Sequence, residues 1–116
     1  MNFFDSKLVQ EELEEITKIQ EEIYENVFKF PEMDTEEKLK HINLLKSLLD
    51  KQKVLYTRVS LSDDPEAKRL KRYIKDSAVM MGMPEDKDIN VIFNNMTIML
   101  DMMRKQLIET DKNENQ

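Results

Sequence analysis

Apolar residues recur through the first thirty positions at Val9, Leu13, Ile16, Ile19, Ile23, Val27 and Phe30, at steps of 4, 3, 3, 4, 4 and 3. That spacing keeps them on one stripe of an α-helix. It predicts a first helix capped by Asp5 or Ser6 and ended by Pro31, whose ring removes a backbone donor. Glu11, Glu12, Glu14, Glu15, Glu21, Glu22 and Glu25 occupy the other side and read as a solvated acidic face.

Asp34-Thr35-Glu36-Glu37 has the form of a capping box and opens a second helix that runs to about Val59. Leu39, Ile42, Leu45, Leu48, Leu49, Leu55, Tyr56 and Val59 give it a broad apolar side. The link between the first two helices is short, which predicts an antiparallel αα-hairpin. Ser60 to Asp64 is polar and reads as a hinge. Asp64 as cap with Pro65 at the first helical position then starts a third helix. Ala67, Leu70, Tyr73, Ile74, Ala78 and Met81 form its apolar side. Gly82 stands where a left-handed residue past a helix end is wanted, with Pro84 two residues on. A fourth helix starts near Asp86 or Asp88 with Ile89, Ile92, Met96, Met99, Met103 and Leu107 in its stripe, widened by Phe93 and Leu100.

The expected fold is therefore all-α: a long antiparallel helical hairpin over 1–60, then a shorter helical pair over 61–110 packed on or beside it. Residues 111–116 carry no apolar side chain and read as a disordered tail. The single glycine and three prolines suit this reading, because sheets need frequent turns.

Chemistry narrows the function by elimination. Without cysteine there is no disulfide, thiolate nucleophile or Cys-based zinc site. His41 is the only histidine, too few for a di-iron bundle or a nucleophilic triad, and it reads as a partly solvated surface residue. One glycine cannot build a phosphate-cradling loop. The expectation is no enzyme, no cofactor and no bound metal. No apolar run reaches the roughly 18 residues of a membrane span, and residues 1–7 lack the pattern of a secretory signal, so no membrane association is expected.

Charge and methionine point to partners instead. Residues 1–50 carry 6 basic against 13 acidic side chains and residues 51–116 carry 12 against 11, within a net charge of −6. The acidic half disfavours general nucleic-acid binding. Lys68, Arg69, Lys71, Arg72 and Lys75 nevertheless put five basic residues in eight positions of the third helix. That patch reads as a solvated face, a dock for an acidic protein, the acidic first helix of a second copy included, or a phosphate contact. Seven of the nine methionines lie at or after residue 80. They read as core filling, because those of the fourth helix share a stripe with Ile and Leu. An adaptable interface is the second reading and Cu(I) coordination the third.

The segments Phe3-Phe4-Asp5-Ser6, Val9-Gln10-Glu11, Lys53-Val54-Leu55-Tyr56-Thr57-Arg58 and Leu61-Ser62-Asp63-Asp64 resemble a small uncharacterised cyanobacterial family known only as a domain of unknown function. Met80-Met81-Gly82-Met83-Pro84, Phe93-Asn94-Asn95-Met96 and Leu100-Asp101-Met102-Met103 resemble its version in T4-like cyanophages more closely. The resemblance implies a phage protein of the infected host cytoplasm or the virion, and it supplies no activity or catalytic residue. The expected function is a non-enzymatic adaptor acting on host or phage machinery, transcription for example. A virion assembly protein, or a nucleic-acid accessory factor using the basic helix, is the alternative. Because Phe3, Phe4, Leu8 and Phe28 widen the first stripe, a homodimer is expected through Phe3, Phe4, Val9, Leu13, Ile16 and Ile23.

Overall fold

The computed structural model describes residues 2–80, 82 and 84–114, the side chains of Ser77 and Ala78 excepted. Four helices carry the fold: α1 (Lys7–Asn26), α2 (Thr35–Leu61), α3 (Pro65–Met80) and α4 (Ile89–Glu114). No strand occurs among the described residues.

Local chemistry sets most of the helix ends. Ser6 caps α1, its hydroxyl accepting from the Val9 N–H at 3.5 Å, while Asp5 belongs to a short 3-10 turn, Phe3–Asp5. The Glu37 N–H donates to Asp34 Oδ1 at 2.8 Å and starts α2. Gly82 has φ +106°, the left-handed conformation expected past the end of α3. Asp88 caps α4 by accepting from the Asn90 N–H at 2.9 Å.

Two ends differ from expectation. The α-helix of the first stripe stops at Asn26, and Val27–Glu32 continue as a 3-10 helix with Pro31 inside it. Proline has no N–H for the α-helical ladder and disfavours α geometry in the residue before it, so the strain is absorbed one turn early. At the other end, α4 runs on to Glu114 through most of the stretch expected to be a tail. No glycine or proline follows Pro84 to stop it, and Lys112 lies in the last turn, where the helix dipole favours a cation.

The hairpin of α1 and α2 is antiparallel: Glu12 meets Arg58 and Glu15 meets Lys51. α4 lies antiparallel along another side of α2, with Lys46 against Asp101, Lys53 Nζ 3.1 Å from Asn94 Oδ1 and the Tyr56 and Phe93 rings 6.0 Å apart. α3 packs on α2 and on the N-terminal 3-10 turn. Thus α2 is the element that the other three share.

The result is elongated, with Cα extents of 58 × 32 × 21 Å and a radius of gyration of 17.0 Å. A compact globule of this length would have a radius near ~13 Å. So long a shape leaves a thin core. Val9, Ile16, Leu55, Val59 and Ala67 form one buried cluster, with Phe3, Phe4, Leu13, Leu48 and Leu70 packed against it. Ile42 and Val59 are the largest side chains without exposed surface.

Of the Ser60 to Asp64 stretch read as a hinge, Ser60 and Leu61 belong to α2, and Ser62 to Asp64 form a hydrogen-bonded corner. The Asp64 N–H donates to Ser62 Oγ at 3.1 Å, and the Asp64 carboxylate accepts from the N–H groups of Glu66 and of Phe3. One carboxylate therefore caps α3 and ties the N-terminal turn to the α2–α3 corner. Those two hydrogen bonds, the Glu66 one the larger influence, hold the Asp64 carboxyl below its ordinary range.

Candidate functional site

The first helix spends its apolar stripe inside the chain. Val9, Ile16 and Ile23 fall at seven-residue intervals and are buried, while Phe3, Phe4 and Leu13 are half-buried against the main cluster. A homodimer through these six side chains was expected because the stripe looked too wide to be covered. In the structure α2, α3 and the N-terminal turn pack against it, and of its expected centre, Val9, Leu13, Ile16 and Ile23, all but Leu13 are buried. Of the residues that widened the stripe, Leu8 is half-exposed and Phe28 stands almost wholly in solvent.

The acidic side of α1 is also less uniform than its sequence suggests. Glu12 Oε1 accepts from Arg58 Nε at 2.8 Å, its side chain is 17% exposed, and its Oε2 is buried without a partner. Glu15 pairs with Lys51 Nζ at 2.8 Å, and this lysine holds its carboxyl below the ordinary range. Glu11, Glu14, Glu21, Glu22 and Glu25 remain in solvent. The α1–α2 seam is thus apolar in the middle and closed along one edge by two ion pairs.

His41 is not the surface residue expected. It is 5% exposed, its ring lies 5.4 Å from the Phe30 ring, and its Nδ1 is buried without a hydrogen-bond partner. The 3-10 helix that replaces the last turns of the first stripe brings Phe30 across it. Lys38 Nζ sits 5.6 Å from the centre of the same Phe30 ring. Among the described residues, no three His, Asp or Glu side chains converge in a metal-binding group.

On α3, Lys68, Arg69, Lys71, Arg72 and Lys75 are all exposed. Lys68, Lys71, Arg72 and Lys75 occupy i, i+3, i+4 and i+7, so four cations share one helical face. Opposite them, Ala67 is buried and Leu70 and Ile74 are half-buried, while Tyr73 is exposed. The expected contributions of the Ala78 side chain and of Met81 lie outside the described residues.

The largest departure is on α4. Its expected stripe does meet α2, through Phe93 against Tyr56 and Leu100 beside Leu45, Leu48 and Leu49, but Ile89 is the one buried residue among these 26 positions. Met96, Met99 and Met103 are exposed, and so is Met80 at the end of α3. Core filling by these methionines is therefore not what the structure has. Helix α4 is long and leans mainly on one neighbour, and a single helix cannot cover so wide an apolar band. Leu45, Leu48, Leu49 and Gln52 of α2 and Met96, Met99 and Leu100 of α4 line an open, largely apolar cleft of about 230 Å³.

Beyond the cleft runs a second apolar row that the sequence reading passed over: Val91 (42% exposed), Ile98 (56%) and Met102 (66%). The signal was present as steps of 7 and 4, which bring residues back to one helical face. It is hidden by the stronger stripe beside it. Together the rows make a continuous apolar face along α4, flanked by Asn95, Lys105 and Glu109. Large apolar faces of this kind mark interaction surfaces, and methionine suits them because its unbranched side chain adapts to the partner.

No helix among the described residues is long and apolar enough to cross a membrane. Comparison with curated proteins and with solved structures gives no match. A family model described as "Domain of unknown function (DUF1825)" matches residues 1–107, and the chain belongs to that family.

Proposed function

We propose that this is a non-enzymatic interaction protein that docks a macromolecular partner through the apolar face of α4. The observation that carries this reading is the exposure of Val91, Ile98, Met99 and Met102 on one helix, beside the apolar cleft that α4 forms with α2. Exposed apolar side chains at helical spacing gain little in the free chain. They stabilise a complex when a partner removes them from water, at about 25 cal/mol per Å². The resemblance to a cyanobacterial and cyanophage family supports a setting in infected cells, where host or phage machinery such as the transcription apparatus supplies the partner. Assembly into the particle is the other setting consistent with the same face.

The test compares wild type with Ile98→Glu/Met102→Glu in capture from a cyanobacterial lysate, and in the protein composition of purified virions. The reading expects a retained complex that survives high salt and is lost in the variant at unchanged helix content. Equal capture by both proteins contradicts it.

A second reading has its own observation, the four cations of α3 on one exposed face. A nucleic-acid accessory role predicts binding that weakens steeply with salt and disappears in Lys68→Glu/Arg69→Glu/Arg72→Glu. Salt-insensitive binding, or none, removes it.

A further inference from the structure

The chain presents three long outer faces, and they differ in whether they can meet their own copy. A two-fold interface sets a patch against itself. On α1 that would oppose Glu11, Glu14, Glu21, Glu22 and Glu25 to the same carboxylates. On α3 it would oppose one row of lysines and arginines to another. The outer face of α4 is apolar in its middle and carries single charges of opposite sign, Lys105 and Glu109, toward one end. Of these faces, α4 is the one that electrostatics lets pair with itself.

Its pattern also fits such a pairing. Val91, Asn95, Ile98, Met102, Lys105 and Glu109 are all exposed and follow steps of 4, 3, 4, 3 and 4, a heptad seam that α2 leaves uncovered. From these observations, and resting on the interaction reading above, we infer that α4 packs antiparallel against α4 of a second copy of this chain. Aligning Ile98 with Met102 of the other copy also sets Asn95 against Lys105, and Val91 against the aliphatic stem of Glu109. Every contact then occurs twice, as two-fold symmetry requires. The apolar pairs lie at the centre, and each Lys105 ammonium donates to an Asn95 carboxamide oxygen. A parallel arrangement would instead stack Lys105 on Lys105 and Glu109 on Glu109, and it would align the two helix dipoles unfavourably.

The area is sufficient. The exposed parts of Val91, Ile98, Met99 and Met102 with the stems of Asn95, Lys105 and Glu109 supply on the order of 600 Å² per chain, which symmetry doubles to the lower end of the ~1,200–2,000 Å² of stable interfaces. The seam from Val91 to Glu109 spans 19 residues and about 27 Å at ~1.5 Å per step, long enough to fix a register.

The test is sedimentation equilibrium of the full chain from low to high micromolar concentration. The inference expects a species of twice the chain's 13.9 kDa. Ile98→Glu/Met102→Glu should weaken association about 100-fold or more at unchanged helical circular dichroism, because like charges then face each other in an apolar seam. Lys68→Glu/Arg72→Glu, on α3, should leave the dimer intact. The natural absence of cysteine makes the register readable: Ile98→Cys and Met102→Cys proteins, mixed and oxidised, should cross-link to one another in preference to themselves. A monomer at every concentration, or a dimer indifferent to the α4 charges, overturns the inference. Preferential self-linking overturns the antiparallel register. If the wild type is monomeric yet captures a foreign partner through α4, the second copy is wrong and the interaction reading stands. If the α4 variant loses neither activity, both fail.

Discussion

The two flanks of α2 are built from the same kind of sequence and finish differently. On one flank, α1 lays down a narrow stripe whose seven-residue repeat, Val9, Ile16 and Ile23, is buried. Its edge is closed by Glu12–Arg58 and Glu15–Lys51. On the other flank, α4 lays down a wider band, of which Ile89 alone is buried. Among the described residues the ion pair on that flank is Lys46–Asp101, part-exposed as Glu15–Lys51 is. Periodicity shows that a helix has an apolar side. Whether that side is core depends on its width relative to the neighbour that covers it. The α1 stripe fits α2 with α3 and the N-terminal turn closing over it; the α4 band exceeds what α2 can cover, and the excess remains in water.

The contrast breaks most readily on the closed flank. Ile16→Asp places an unpaired carboxylate in the main cluster and removes a buried side chain, at a cost of about 4 kcal/mol or more. For a thin core this is expected to unfold the chain, seen as loss of far-ultraviolet helical signal at room temperature. A folded variant with a wild-type urea midpoint would mean that the α1 stripe is not core.

A smaller effect separates the two ion pairs at the edge of that flank. Arg58→Ala leaves the Glu12 carboxylate little exposed and without its cation, which is expected to lower stability by about 1–2 kcal/mol in urea titration. Lys51→Ala, whose partner Glu15 is solvent-exposed, is expected to leave the midpoint unchanged. Equal losses would show that burial does not distinguish the pairs.

Much of this architecture was legible in advance, because its signals are local. Asp34, the Asp64-Pro65 pair and the positive φ of Gly82 are chemical requirements of a few neighbouring residues, and the structure has each of them. What was not legible depends on distant partners. Nothing beside His41 in the chain says that Phe30 will cover it. Glu12 and Glu11 look alike until α2 brings Arg58 to one of them. Asp64 reads as a cap, yet its second hydrogen bond comes from Phe3, sixty-one residues away. The exposed row of Val91, Ile98 and Met102 needs the placement of α2 to be recognised as unclaimed, and the burial of Val9, Ile16 and Ile23 within the chain depends on the same placement.

Acid sharpens the comparison at the corner where α1, α2 and α3 meet. The Asp64 carboxyl is held below its ordinary value of 3.8 by N–H donation from Glu66 and Phe3. A carboxyl lowered on folding contributes stability that is full above its unfolded pKa and is lost as pH falls through the folded one. The Phe3 amide is therefore expected to hold its folded chemical shift down through pH 4 and to lose it below the ordinary carboxylate range. Asp64→Asn should remove that acid step and loosen the N-terminal turn at neutral pH. A step near or above pH 4 would contradict the assignment.

The smallest expected change in stability belongs to the open flank, and it tests the central claim most directly: urea unfolding of Ile98→Glu/Met102→Glu, with association measured on the same samples. Exposed positions that support no core tolerate such changes within about 0.5 kcal/mol. At dilutions where the wild type is monomeric the account predicts equal unfolding midpoints for the two proteins, and at higher concentration loss of association in the variant. A midpoint that falls as it does for core substitutions would place the α4 face inside the fold, and association that persists would show that this face docks nothing.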